Sequence, residues 1–164
     1  MRPTLSFIAA LLLTACGQEA PKANVNIGGA APAFQTARLD GAGEQFPAAY
    51  AGKPLVIRFW ADWCKYCEGE MQAIEQVYQR HRARGLTVLA INAGQDKATI
   101  DAFIRKIGVT YPALLDEQSV IAKRYGVVGL PTTFFIDAGG VVRAKIVGEA
   151  DEATFERHAL ELLK

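Results

Sequence analysis

The segment Leu55–Trp60, LVIRFW, constrains the fold more than any other part of the chain. It is an apolar run of strand length, without alternation, interrupted only by Arg58. Such a run suits a strand buried on both faces, which needs covering layers on each side of a sheet. Three residues later comes Cys64-Lys65-Tyr66-Cys67. Beyond the cysteines the period changes. Met71, Ile74, Val77 and Tyr78 recur at spacings of three and four. That pattern predicts a helix from about Cys64 to Arg84, stopped by Gly85.

The rest of the chain continues in the same style. Phe34, Leu39 and Phe46 flank the turn signal DGAG at 40–43, which predicts a β-hairpin. LTVLAIN at 86–92 reads as a second buried strand. DKATIDAFIRKIG at 96–108 reads as a helix, with Asp96 as its N-cap and Gly108 past its end. A short strand, PALLD, and a short helix, QSVIAKRYG, follow. TTFFID and VVRAKIVG read as strands joined at Gly139-Gly140 by a tight turn, and residues 151–164 as a closing amphipathic helix. This order implies an α/β domain with a mixed central sheet flanked by helices.

The N-terminus is a separate object. Residues 1–15 carry one charge, Arg2, and then an apolar run from Leu5, too short for the roughly 20 residues that span a bilayer. They read as a secretory signal. Leu13-Thr14-Ala15-Cys16 resembles the lipobox of bacterial lipoproteins, which implies cleavage before Cys16 and a lipid on its sulfur. Gly17 after it would permit sorting to an outer membrane. Residues 16–33 are small and polar and read as a flexible tether of about 20 Å, with the folded domain from 34 to 164. Lipidation also accounts for an odd cysteine in an exported chain: of three, Cys64 and Cys67 remain as a pair. The chain has 18 basic and 17 acidic residues, and the signal takes only Arg2 with it. A neutral mature chain gives no electrostatic case for nucleic acid or for an acidic membrane surface.

A C-x-x-C pair is either part of a zinc site or a redox dithiol. Zinc needs three or four ligands. No second cysteine pair exists, and His81 and His158 lie on amphipathic helices, without metal-like spacing and read as surface residues. A redox dithiol fits better. Cys64 falls where a buried strand meets a helix N-terminus, whose partial positive charge favours the attacking thiolate. Cys67, one turn on, is placed to resolve the mixed disulfide. A purely structural disulfide would close a very short loop and constrain the unfolded chain little.

FWADWCKYC, followed far downstream by GLPTTFFID, resembles the thioredoxin fold. The N-terminal hairpin, the lipoprotein signal and the helix opening CEGEMQAIEQVYQRH resemble its membrane-anchored TlpA/ResA/CcmG branch more closely, over roughly residues 34–162. The resemblance implies a thioredoxin-like α/β fold with a hairpin extension. It implies that Trp63 forms the surface around an exposed nucleophile, Cys64, and that Pro131 is a cis-proline beside the dithiol. Leu130 would offer its backbone to a bound strand, and Glu70 would lie near the active site. No cofactor is implied beyond the Cys64–Cys67 disulfide. Two features depart from the pattern. Lys65-Tyr66 replaces a dipeptide whose second member is often proline, and Arg58 stands where thioredoxin has a buried aspartate.

Alternatives separate on single residues. A peroxiredoxin needs Thr or Ser where this chain has Ala61. Copper delivery on this fold uses a wider cysteine spacing and a nearby histidine. The expected activity is thus an extracytoplasmic thiol-disulfide oxidoreductase, monomeric and membrane-attached by lipid alone. The branch implies reduction of client disulfides, in apocytochrome c or copper-site proteins, with electrons from a DsbD/CcdA-type membrane carrier. An oxidase or isomerase role is the alternative. Finally, a buried arginine requires a partner. Glu70 shares the inward stripe of its helix with Ile74 and Val77, which predicts an Arg58–Glu70 pair that offsets repulsion of a Cys67 thiolate.

Overall fold

In the computed structural model, residues 25–164 are described. Strand β3, Leu55–Trp60, lies at the centre of a five-stranded sheet. It pairs in parallel with β4, Thr87–Ala93, and antiparallel with β6, Thr132–Ile136. β5, Ala113–Asp116, extends the sheet beyond β4, and β7, Val142–Val147, extends it beyond β6. The order is β5-β4-β3-β6-β7. A central position explains the run without alternation, since all six β3 residues are buried.

Side chains of a strand alternate between faces, and the two cores follow that parity. Val56 and Trp60 face one core with Met71, Ile74 and Val77 of α1, Cys67–His81. The same core takes Ile100, Phe103 and Ile107 of α2, Lys97–Ile107, and Phe155 and Ala159 of α4, Glu152–Leu162. Leu55, Ile57 and Phe59 face the second core, with Ile121 and Ala122 of α3, Val120–Arg124. The expected hairpin, β1 Phe34–Ala37 and β2 Gly43–Phe46, closes that side. Phe34 stacks on Phe46 at 5.5 Å, and Tyr125 bridges Phe34 to Phe59. Aromatic pairs of this kind contribute about 0.5–1.5 kcal/mol each beyond their buried area.

Capping follows the sequence. Asp96 accepts a hydrogen bond from the Thr99 amide at 2.8 Å, and Gly108 takes the left-handed conformation, φ 70°, that ends α2. Asp151 caps α4 through the Thr154 amide.

Three expectations are corrected. First, α1 begins at Cys67, not Cys64. The chain leaves β3 in tight turns, with the Cys64 amide donating to Ala61 O and the Cys67 amide to Cys64 O. It ends at His81 in a short 3₁₀ turn, Arg82–Arg84, before Gly85. Second, residues 25–33, read as tether, are bound to the domain. Val25 is buried, the Gly28 amide donates to Val142 O, and Ala31 donates to Gly140 O. Tyr125 donates its hydroxyl to Pro32 O. This strap is held by backbone bonds that need no apolar period. Third, His81 and His158, read as surface residues, are only partly exposed. His81 Nε2 lies 2.6 Å from Glu156 Oε1, and the His158 ring packs 5.1 Å from Phe135. His81 faces α4 and His158 faces the sheet, at the boundary positions of amphipathic helices.

Residues 25–42 thereby reach both edges of the central sheet, along β5 and at the start of β7. Leu39 N donates to Ala113 O beside β5, and Ala30 bridges Val141 beside β7. The signal at 1–15, Cys16 and the first part of the tether lie outside the described residues.

Candidate active site

The dithiol occupies the junction of β3 and α1. Cys64 and Cys67 form a disulfide, with Cα atoms 5.4 Å apart. Cys67 is the first residue of α1 and is fully buried, whereas Cys64 lies in the preceding turn and is 6% exposed. The expected exposed nucleophile is therefore nearly covered in the disulfide form. The surface of the site belongs to its neighbours, Trp63 at 68% and Tyr66 at 45% exposure. The Lys65 ammonium sits 5.2 Å from the Tyr66 ring centroid, so its charge stays beside the pair. Although Cys64 precedes the helix, its sulfur is bonded to that of the first helical residue. It lies at the positive end of the α1 dipole.

The Leu130-Pro131 bond is cis. Thr132 pairs with Phe59, which puts Pro131 at the same end of the sheet as the dithiol. Pro131 O accepts the Gly148 amide at 2.8 Å. Leu130 is half-buried and packs against both cores.

Beneath the dithiol, Arg58 is 1% exposed. Its parity directs it towards α1, with Val56 and Trp60. Arg58 Nη2 donates to Glu70 Oε2 at 2.7 Å, and Nη1 donates to Thr133 Oγ1 at 3.1 Å, from the residue paired with it on β6. Glu70 Oε1 accepts the Ala150 amide at 2.7 Å. The expected pair is present, and it joins β3, α1, β6 and the loop before α4. Glu70 lies three residues after Cys67, on the same helix face and roughly 5–6 Å away between Cβ atoms. The guanidinium field reaches Tyr111 as well. Burial pushes the Tyr111 hydroxyl well above an ordinary phenol, and the Arg58 charge opposes that rise.

One set of residues was not anticipated. Gln95 Oε1 accepts the Asp62 amide at 2.9 Å, while Gln95 Nε2 donates to Asp62 Oδ1 at 2.5 Å. Gln95 Oε1 also accepts Asn92 Nδ2 at 2.9 Å, and Asn92 Oδ1 accepts the Gln95 amide. Asn92 is fully buried at the end of β4, opposite Trp60. The signal available was a polar residue closing an apolar strand at the carboxyl end, where sites form in such sheets.

Among the described residues no three His, Cys, Asp or Glu side chains converge as metal ligands. A cleft of about 630 Å³ lies between the hairpin and α3, lined in part by Phe34, Gln45, Asp116 and Arg124. The dithiol does not line it.

Residues 27–145 match the AhpC/TSA family. The chain belongs to the AhpC/TSA family. Within this family it is similar to the thiol-disulfide oxidoreductase ResA of Geobacillus kaustophilus, at 37% identity over 143 residues, 87% of this chain and 81% of that one. Among solved structures it is similar to a thiol:disulfide interchange protein from Chlorobium tepidum. There the TM-score is 0.74 at 29% identity, with 82% and 96% of the two chains covered. It is also similar to a secreted Mycobacterium tuberculosis disulfide oxidoreductase homologous to E. coli DsbE. That match has a TM-score of 0.72 at 26% identity, covering 79% and 96%. The fold is thioredoxin-like and the activity is thiol-disulfide oxidoreduction. The family match opens at Ile27, inside the strap, in keeping with a domain that begins before the hairpin.

Proposed function

We propose that this oxidoreductase reduces disulfides of client proteins outside the cytoplasm, with Cys64 attacking and Cys67 resolving. The Cys64 thiolate attacks one sulfur of a client disulfide. A Cys64–client mixed disulfide forms, and the other client sulfur leaves as a thiolate. Cys67 then loses its proton and attacks the Cys64 sulfur. The Cys64–Cys67 disulfide forms and the second client thiolate leaves, so two electrons have passed to the client. A DsbD/CcdA-type membrane dithiol returns the pair to its reduced form. Apocytochrome c and copper-site cysteines are the client classes in view. A client strand lies against the Leu130 backbone beside Pro131, with Trp63 and Tyr66 as the apolar contact surface. Arg58 offsets the repulsion that Glu70 would exert on a Cys67 thiolate. Cys16 carries the lipid that tethers the domain to a membrane.

The observation that carries this reading is the asymmetry of the two sulfurs. Cys64 keeps a 6% exposure at the edge of an exposed aromatic patch, whereas Cys67 is fully buried. Insulin reduction tests it. Cys64→Ser abolishes turnover, and Cys67→Ser traps clients as mixed disulfides. Faster alkylation of Cys67 than of Cys64 in the reduced protein would reverse the roles. Equilibration with glutathione tests the direction. A reductase gives a potential near the −270 mV or so of thioredoxin, and one near the −120 mV or so of DsbA would mark an oxidant. Mass spectrometry of membrane-extracted protein tests the anchor: a mature N-terminus downstream of Cys16 excludes it.

A further inference from the structure

The carboxylates around the dithiol are held in different ways. Glu70 is paired with Arg58. Glu68, in the first turn of α1, is paired with Lys106 Nζ at 2.7 Å. Asp96 caps the Thr99 amide at the start of α2. Asp62, two residues before Cys64, is held by the neutral amide of Gln95. Its charge is therefore not cancelled by a cation, only fixed in place. Asp62 is exposed and sits on the turn that carries Cys64. Freed, its carboxylate could swing over that turn, and a negative charge near a thiolate disfavours it.

We infer that Gln95 is a positioning residue for the dithiol: it pins the Asp62 carboxylate to the β4 side and so protects the Cys64 thiolate from it. The inference rests on Cys64 being the attacking sulfur. The arrangement is built for holding. Gln95 makes a two-point contact with Asp62, one bond to the main chain and one to the side chain. Its amide orientation is fixed, because Oε1 accepts from both Asp62 N and Asn92 Nδ2, which leaves Nε2 facing Asp62 Oδ1. Asn92 anchors the assembly from a fully buried position. The turn is thus tied to β4 across the sheet end. Other charges facing the turn are Lys65, beside the Tyr66 ring, and Arg58 beneath it. Both are cations and favour the thiolate. Asp62 is the charge that opposes them.

The geometry also supplies a substitution that separates charge from scaffold. In Gln95→Glu, one carboxylate oxygen still accepts from Asp62 N and Asn92 Nδ2, but the other now faces Asp62 Oδ1 and repels it. In Gln95→Ala both contacts are lost. The test measures alkylation of the reduced, full-length protein by iodoacetamide across pH, with mass spectrometry to identify the labelled cysteine. A like charge brought nearer a thiolate disfavours it and raises the thiol's midpoint. Gln95→Ala therefore slows Cys64 alkylation below its titration midpoint by about threefold and moves the midpoint upward. Gln95→Glu slows it further. Asp62→Asn in the Gln95→Ala background restores the wild-type rate or exceeds it. An unmoved midpoint in both Gln95 variants overturns the inference, as does slowing that persists with Asp62→Asn in that background. Preferential labelling of Cys67 in the wild type is a different result: it overturns the assignment of the attacking sulfur, and the inference with it.

Discussion

Glu70 and Glu75 lie five residues apart on α1 and are buried alike, at 9% and 8% exposure. Their partners differ. Glu75 Oε2 accepts the Thr110 amide at 2.9 Å, and Oε1 accepts Thr110 Oγ1 at 2.8 Å and Gln79 Nε2 at 2.6 Å. All three donors are neutral. Glu70 accepts one amide, from Ala150, and a guanidinium. Glu75 shows that neutral donors suffice to bury a carboxylate on this helix. Satisfying Glu70 therefore does not by itself account for Arg58, a second charge that is itself costly to bury. What distinguishes the two sites is their distance from the dithiol. Glu70 is one turn from Cys67. Glu75 is more than two turns from it and ties α1 to the segment before β5.

The largest effect that would break this comparison is on stability. Arg58→Ala leaves Glu70 buried without its cation and should cost about 3–5 kcal/mol in denaturant unfolding of the oxidised protein. Arg58→Ala/Glu70→Gln should recover part of that loss. Additive losses would remove the coupling between the two groups. Glu75→Ala should cost less, about 1–3 kcal/mol, because it strands only the neutral donors of Thr110 and Gln79.

A third buried carboxylate, Glu44, extends the comparison away from the site. Arg38 Nε donates to it at 2.5 Å, and the Tyr50 hydroxyl is buried beside them. Burial and the nearby Glu44 charge push Tyr50 up to about 12. An unfolded tyrosine loses its proton near pH 10 or so. Between those values the unfolded state binds fewer protons, so stability is full below pH 10 and falls as pH rises towards 12. Denaturation midpoints above pH 10 should decline, and Tyr50→Phe should flatten part of the decline. The smallest effect belongs to the surface. Glu68 and Lys106 form a pair with half-exposed side chains, and Lys106→Ala should change stability by about 0–1 kcal/mol.

Much of this was legible in the sequence, for identifiable reasons. β3 was readable because burial on both faces leaves no polar alternation. The caps at Asp96 and Gly108 were readable because their roles are local. The Arg58–Glu70 pair followed from the apolar run around Arg58, the helical stripe and the cost of an unpaired buried charge. The strap at 25–33 was not legible, since backbone bonds to Gly140 and Val142 impose no side-chain pattern. The start of α1 was misplaced by three residues, because the turns at 61–66 carry neither Gly nor Pro. Gln95 was missed because its partners, Asp62 and Asn92, meet only when β4 lies beside β3.

The potential of the Cys64–Cys67 couple tests most directly the proposed division between Glu70, in the redox site, and Glu75, in the scaffold. Glu70→Gln leaves the Arg58 cation unopposed beneath the dithiol. That stabilises the reduced, thiolate form and should raise the potential against glutathione, by on the order of 30 mV. Glu75→Gln, at equal burial on the same helix, should leave it within a few millivolts or so. A Glu70→Gln potential equal to wild type, or a Glu75→Gln shift as large, would contradict the account.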